Sequence, residues 1–351
     1  MPVAPNLLER LVLFRLNRAP APMLDLFGAA GFEAVALAVD VGLFEALSDD
    51  PQTAAELADR IDAHEDGVRA LLGFLDAQGY VRERDGRYRN TRMTTKWVTS
   101  GSSTSVASWL TFWDDLVFPF WEENLEAAVR TGEPPETLYE WLGDDEKRWE
   151  TTQRGFRAAA SVVVDEVVDA VDIPEGASAV LDVGGGHGLF AVELCRSRPG
   201  LSATVVDRPA ALGLARETAA DAGLDDRVTT RGADYLREDL GDGYDLALAF
   251  NVVHAHDRDE TVRLFERAHD ALDPGGRIAV LDQFVGSART PVGRAGLGFV
   301  ALTYLVTLGA SLPAFDEVAA WLGDAGFEGI ERTAIRGAGP GNTLLQAIKK
   351  P

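Results

Sequence analysis

Lysine is almost missing from this 351-residue chain: only Lys96, Lys147, Lys349 and Lys350 stand among its 33 basic residues. Positive charge is scarce altogether, 33 Lys+Arg against 56 Asp+Glu, which leaves a net charge of -23. Such a surface repels nucleic acid and anionic lipid over a Debye length of about 8–10 Å, so non-specific binding to either is not expected. The acids are spread along the chain rather than gathered in a tail. That distribution suits a high-salt cytoplasm, where screening removes much of the self-repulsion, and it leads us to expect a halophilic source. Cysteine occurs once, as Cys195, so an intrachain disulfide is excluded and a reducing, cytoplasmic setting is expected. With one cysteine and five scattered histidines, no metal-ligand cluster is expected either.

Long apolar runs are rare. At the N-terminus Arg10, Arg15 and Arg18 interleave with Leu7, Leu8, Leu11 and Leu13, the pattern of an amphipathic helix rather than a leader. The one uncharged stretch long enough to span a bilayer is residues 295–315. Gly296, Gly298, Gly309 and Pro313 within it favour a buried or interface helix over a membrane span.

What is present falls into three expected regions. Residues 1–104 carry apolar positions at helical spacing (Val35, Ala36, Val39, Leu43), then a capping box at Thr53 and Glu56, then a helix with Val68, Leu71, Leu72 and Leu75 on one face. Residues 80–90 alternate around Asp85-Gly86, a dipeptide suited to a two-residue hairpin turn. Helix, short helix, helix and hairpin form a winged-helix pattern. Arg82, Arg84, Arg87, Arg89 and Arg92 make its wing basic, which keeps a DNA-binding regulator open. Glu65, Asp66 and Asp76 on the would-be recognition helix oppose it, and favour a wing used for protein contact or paired with nearby acids. Residues 105–175 form a helical connector rich in large aromatics, of which Trp113 and Phe156 are candidates for lining a substrate pocket. From residue 176 to 351 strands alternate with helices, which implies βαβ units and a doubly wound, Rossmann-like parallel sheet. The expected fold class is therefore α/β, with an α-helical N-terminal domain.

The chemistry centres on Asp182-Val183-Gly184-Gly185-Gly186-His187-Gly188, a strand running into a glycine turn and then a helix. Glycine is required where the backbone turns sharply and a ligand approaches closely, and ligands of such sheets sit at the carboxyl edge. Asp207, at the end of the next strand, is placed to accept hydrogen bonds from a ribose diol. A glycine run alone does not separate this from a nicotinamide-binding turn. Asp182 suits a cationic ligand group better than a pyrophosphate, and residues 272–281 enter a late strand through Pro274-Gly275-Gly276.

At these residues the chain resembles the class I S-adenosylmethionine-dependent methyltransferases. More closely it resembles the O-methyltransferases that include plant caffeate and bacterial polyketide enzymes, which carry an N-terminal winged-helix dimerisation domain. The resemblance spans roughly residues 25–348. It implies S-adenosylmethionine as cofactor, a small aromatic or quinol-type hydroxyl compound as acceptor, and a homodimer. It also implies that Gly184, Gly186 and Gly188 lie beneath the methionine part of the cofactor and that Asp207, followed by Arg208, holds the ribose. Asp234 and Tyr235 would neighbour the adenine, displaced by the extra Ala233, and Asn251 would lie at the same edge. His254 matches the family's catalytic histidine, and imidazole titrates where it can take a phenolic proton.

Three departures stand out. Ala255-His256 replaces the Asp-Trp that often follows the histidine. Phe250 replaces a lysine four residues before it. No acid lies in residues 308–315, where a glutamate often holds the histidine. These leave the base-orienting acid unidentified and keep N- or C-methylation, or cofactor binding without turnover, open beside O-methylation. His256 is either a second base and substrate contact or a solvent-facing loop residue.

Overall fold

The computed structural model describes residues 5–286, 288, 290–337 and 342–350. Two compact units divide the chain, Met1–Asp114 and Asp115–Pro351.

In the first unit the expected succession is found: helices Met23–Asp40, Leu43–Ala46, Ala54–Arg60 and Glu65–Ala77, then strands β1 (Val81–Arg84) and β2 (Arg87–Asn90). Thr53 accepts from the Glu56 amide at 3.2 Å while Glu56 accepts from the Thr53 amide at 2.7 Å, closing the capping box. Asp85 and Gly86 both take positive φ, +54° and +76°, so the hairpin turns where the sequence places it. Val35, Leu43, Phe44, Leu57, Leu72 and Val81 are buried together as its core. Of the wing arginines, Arg82 pairs with Asp76 at 3.2 Å, Arg84 with Asp85 at 3.6 Å and Arg87 with Glu56 at 2.9 Å. The acids beside the wing thus neutralise much of its charge, in exposed pairs that add little stability.

The second unit is built on a seven-stranded sheet of order β5-β4-β3-β6-β7-β9-β8. Its strands are β3 (Ala179–Val183), β4 (Ser202–Asp207), β5 (Val228–Gly232), β6 (Tyr244–Phe250), β7 (Leu272–Gln283), β8 (Phe327–Ala334) and β9 (Asn342–Lys349). From β5 to β7 neighbouring strands run parallel. β9 is antiparallel to both β7 and β8. The sheet is therefore mixed, with two antiparallel strands closing an otherwise parallel sheet, where the alternation predicts parallel strands throughout.

Alternate residues of β3 feed opposite faces: Val180 packs with Leu194, Ala215 and Leu248, while Leu181 and Val183 pack with Leu264, Phe265 and Leu322. Each such side chain fully removed from water contributes about 1.5–3 kcal/mol before entropy is counted. Strands β3, β4 and β5 step outward in one direction and β6 and β7 in the other. The strand order thus reverses between β3 and β6, and the crevice between their carboxyl ends is where such sheets receive ligands.

The stretch expected to be buried or at an interface forms the helix Pro291–Leu308, long and apolar enough to cross a membrane by length and composition, with 11% of it buried. Its second half, from Ala301 on, is half-buried or buried. Among the described residues it packs on the helix Phe118–Thr131, with Phe299 and Trp121 ring centroids 6.0 Å apart.

Candidate active site

Three acids end strands at the same edge of the sheet: Asp182 on β3, Asp207 on β4 and Asp282 on β7. Below them the glycine turn takes a conformation that side chains resist. Gly184, Gly186 and Gly188 have φ of +68°, +41° and +69°. A Cβ on Gly184 would stand 2.5 Å from Val252 Cγ2, and one on Gly186 2.4 Å from Gln153 Oε1. The turn is thus closed to side chains, the room for a Cβ being taken by Val252 and Gln153.

Asp207 is tied into this turn. Its Oδ2 accepts from the Gly186 amide at 3.0 Å and its Oδ1 from the Arg208 amide at 2.7 Å. Burial pushes its carboxyl up to about 6, against the lowering effect of those two amides. Arg208 lies over the Tyr139 ring at 5.9 Å, and Tyr139 stacks on Trp149. Asp182 is different: it is fully buried, its Oδ2 has no hydrogen-bond partner, and burial followed by the nearby Asp207 charge pushes it up to about 7. His187, between the glycines, accepts from the Leu189 amide at 3.1 Å through Nδ1, and burial holds it down at about 3, so it stays neutral.

Across the crevice β6 ends in Asn251, whose φ of +54° turns the chain toward His254. The His254 ring is buried, and its Nδ1 lies 2.8 Å from Asp282 Oδ1. The backbone amide of His254 donates to Asp282 Oδ2 at 3.1 Å, and the amide of Gln283 donates to Asp282 Oδ1 at 2.8 Å. A carboxylate only accepts, so Nδ1 carries a proton and, in the neutral ring, Nε2 holds the lone pair. The imidazole is also stacked on Tyr304, centroids 4.0 Å apart and planes within 8°. Tyr304 donates its hydroxyl to Gln283 Oε1, and the Gln283 amide donates to Asn251 at 3.1 Å and Asn342 at 2.8 Å. A chain of bonds thus fixes the imidazole in one tautomer and orientation.

His256 faces inward. Its Nε2 is 2.8 Å from the Tyr235 hydroxyl and its Nδ1 3.2 Å from Glu260. Burial, first among several causes, lowers its basicity. Tyr235, raised by burial and then by the Asp207 charge, lies within electrostatic reach of Asp207, Tyr139 and Arg208. The expected residues therefore converge as two groups: Asp182, Gly184, Gly186, Gly188, Asp207, Arg208, Tyr235 and His256 around the turn, and His254 with Asn251 beside Asp282. Asp234 is committed locally, capping the Leu236 amide at 3.0 Å and pairing with Arg237 at 3.4 Å. Phe156 is half-buried in the helix Glu146–Ser161, one turn beyond Gln153. Trp113 belongs to the first unit, buried and edge-on to Trp109 at 5.9 Å.

The sequence reading missed Asp282, Tyr304 and Gln153. A signal for Asp282 existed: it ends a buried apolar strand, as Asp182 and Asp207 do.

Comparison with known proteins agrees with this architecture. Residues 121–328 match the O-methyltransferase domain and residues 25–100 the O-methyltransferase dimerisation domain. The chain is 30% identical over 320 residues to a 3-hydroxy-5-methyl-1-naphthoate 3-O-methyltransferase of Streptomyces sahachiroi, covering 89% of this chain and 90% of that one. It is 30% identical over 325 residues to a mitomycin biosynthesis 6-O-methyltransferase of Streptomyces lavendulae, covering 89% and 90%. The solved structure of the mitomycin 7-O-methyltransferase MmcR superposes with a TM-score of 0.81 at 28% identity, covering 96% of this chain and 99% of that one. The chain belongs to the O-methyltransferase family and is an S-adenosylmethionine-dependent methyltransferase. The residues present fit that cofactor: the glycine cradle has no room for a Cβ, and beside it the unpaired Asp182 Oδ2 lacks the donor that a cationic group provides.

Proposed function

We propose that this enzyme methylates a hydroxyl of a small aromatic or quinol-type molecule, with His254 as general base and Asp282 as the acid that orients it. The observation that carries this reading is the 2.8 Å contact between His254 Nδ1 and Asp282, which supplies the orienting acid absent from residues 308–315. Bound S-adenosylmethionine supplies an electrophilic methyl group on a cationic sulfur. Gly184, Gly186 and Gly188 seat its methionine part, Asp207 and Arg208 its ribose side, and Tyr235, with Asp234 and Asn251 nearby, its adenine side. His254 Nε2 would take the proton from the acceptor hydroxyl as its oxygen receives the methyl group and the methyl–sulfur bond breaks, leaving the neutral thioether S-adenosylhomocysteine, and Asp282 would hold the resulting imidazolium. Alignment of acceptor and methyl carries much of the remaining rate. Phe156 lines the acceptor side, and His256 contacts the bound molecules rather than moving the proton, since Tyr235 and Glu260 occupy both its nitrogens.

The N-terminal unit serves pairing of two copies, as a winged-helix dimerisation domain spanning about residues 1–104 that precedes a connector (105–175) and the catalytic domain (176–351). In support, Leu7 (85%), Phe14 (59%) and Leu26 (58%) are exposed apolar residues at its start, a surface that a second copy would cover. The acidic surface fits work in a salt-rich cytoplasm.

The test is incubation with methyl-labelled S-adenosylmethionine and a panel of phenols, quinols, amines and activated ring carbons, followed by location of the label. Label on oxygen supports the proposal. Label on nitrogen or carbon overturns the acceptor, and no transfer together with sequence-specific DNA binding favours a ligand-sensing regulator.

A further inference from the structure

Two buried side-chain oxygens without hydrogen-bond partners lie over adjacent residues of the glycine turn. Gln153, 5% exposed, brings Oε1 to 2.4 Å from where a Cβ on Gly186 would stand. Asp182, 1% exposed, brings Oδ2 to 2.5 Å from where a Cβ on Gly185 would stand. Neither atom accepts a hydrogen bond in this structure. Buried polar atoms are nearly always paired, because leaving one unpaired costs about 1–3 kcal/mol. Their neighbours do not answer the need: Arg154, beside Gln153, is held by Glu150 at 2.9 Å and Glu217 at 3.0 Å. The charge felt most at Asp182 is that of Asp207, another acid.

Both orphans are acceptors, one of them on a carboxyl group, and both face the stretch of backbone that no side chain can enter. What completes them is a compact cation with several N–H donors. We propose that Gln153 and Asp182 form a socket for the α-ammonium group of the cofactor's amino-acid end, with Gln153 the residue that discriminates ligands carrying that end from ligands lacking it. This rests on the cofactor reading above and adds a residue to it, on a helix outside the glycine motif. An ammonium carries three donors, as many as two acceptors need. A carboxylate or a neutral ether at that point would leave both unpaired.

The test is calorimetric binding of two probes, S-adenosylhomocysteine and 5′-methylthioadenosine. They share the adenosine and a thioether sulfur, and the second lacks the amino acid. Gln153→Leu is expected to weaken S-adenosylhomocysteine roughly tenfold or more, the cost of losing a hydrogen bond to a charged group, and to change 5′-methylthioadenosine less than about twofold. Gln153→Glu, which keeps the acceptor, is expected to bind S-adenosylhomocysteine at least as tightly as the wild type. Thermal unfolding of each variant shows whether it is folded, and the glutamate variant carries the test if the leucine variant is not. Equal weakening of both probes, no weakening of either, or a glutamate variant that loses S-adenosylhomocysteine overturns the socket while leaving the cofactor reading intact. Wild-type protein that binds neither probe overturns both.

Discussion

The two halves of the site differ in how complete they are. Around His254 the supporting groups are paired: Asp282 accepts from two backbone amides and the imidazole, and Tyr304, Gln283, Asn251 and Asn342 form a chain of bonds, with His254 Nε2 left for the acceptor. Around the glycine turn, Asp182 and Gln153 hold oxygens with nothing to accept from. On the function proposed above, the difference separates two tasks. A base must be in its working tautomer before the acceptor arrives, so its surroundings are satisfied in advance. A binding site keeps unsatisfied groups where the ligand will satisfy them, at the expense of stability when it is empty.

Breaking the completed half should cost rate and spare affinity. Asp282→Ala frees the tautomer and orientation of His254, and kcat is expected to fall by roughly 10–10²-fold, within the range of a general base's contribution, with the S-adenosylhomocysteine Kd unchanged. Loss of affinity without loss of kcat would place Asp282 in the binding half instead. Tyr304→Leu removes the stack on the imidazole, and a fall of roughly three- to tenfold in kcat is expected from the loss of an aromatic contact. Tyr304→Phe keeps the ring and should restore most of it; a phenylalanine variant as slow as the leucine one would assign the effect to the hydroxyl and its bond to Gln283.

Changing the incomplete half should show in stability. The Asp182 carboxyl lies at about 7 in the folded chain against an ordinary value of 3.8. Between those values the folded protein holds a proton that the unfolded chain has released, so Asp182 makes stability fall as pH rises from about 4 to about 7. Asp182→Asn should therefore raise the Tm of the ligand-free protein more at about pH 8 than at about pH 4. Equal gains at both would mean that the carboxyl is ionised throughout. The smallest effect concerns the surface that both halves share: with a net charge of -23, adding about 2 M KCl should raise Tm by screening self-repulsion. A Tm that falls with salt would contradict self-repulsion as a drain on stability.

How much of this was legible in the sequence follows from what local pattern encodes. β3, β4 and β6 are short runs rich in Val, Leu and Ala bounded by turns, the kind of run on which the strand–helix alternation from residue 176 rests. The glycine turn and His254 were readable because their chemistry demands particular residues at fixed spacing. The antiparallel β8 and β9 were not: β8 buries little beyond Phe327, so no alternation marks it. Asp282 was sought too far downstream because its partnership is made by strand pairing. β6 and β7 run in register with Phe250 opposite Leu281, which carries Asp282 to the turn that bears His254. Gln153 had no signal at all, being one polar residue on a helix until the fold lays that helix over Gly186.

The central claim is that the completed half does chemistry and the incomplete half does binding. Parallel measurement of kcat and of the S-adenosylhomocysteine Kd in His254→Ala and Gln153→Leu tests it most directly. The account predicts a crossed result: kcat down by about 10²–10⁴-fold with Kd unchanged for the first, and Kd weakened roughly tenfold with kcat at saturating cofactor nearly kept for the second. Turnover that survives in His254→Ala, or the same loss of both quantities in the two variants, would contradict it.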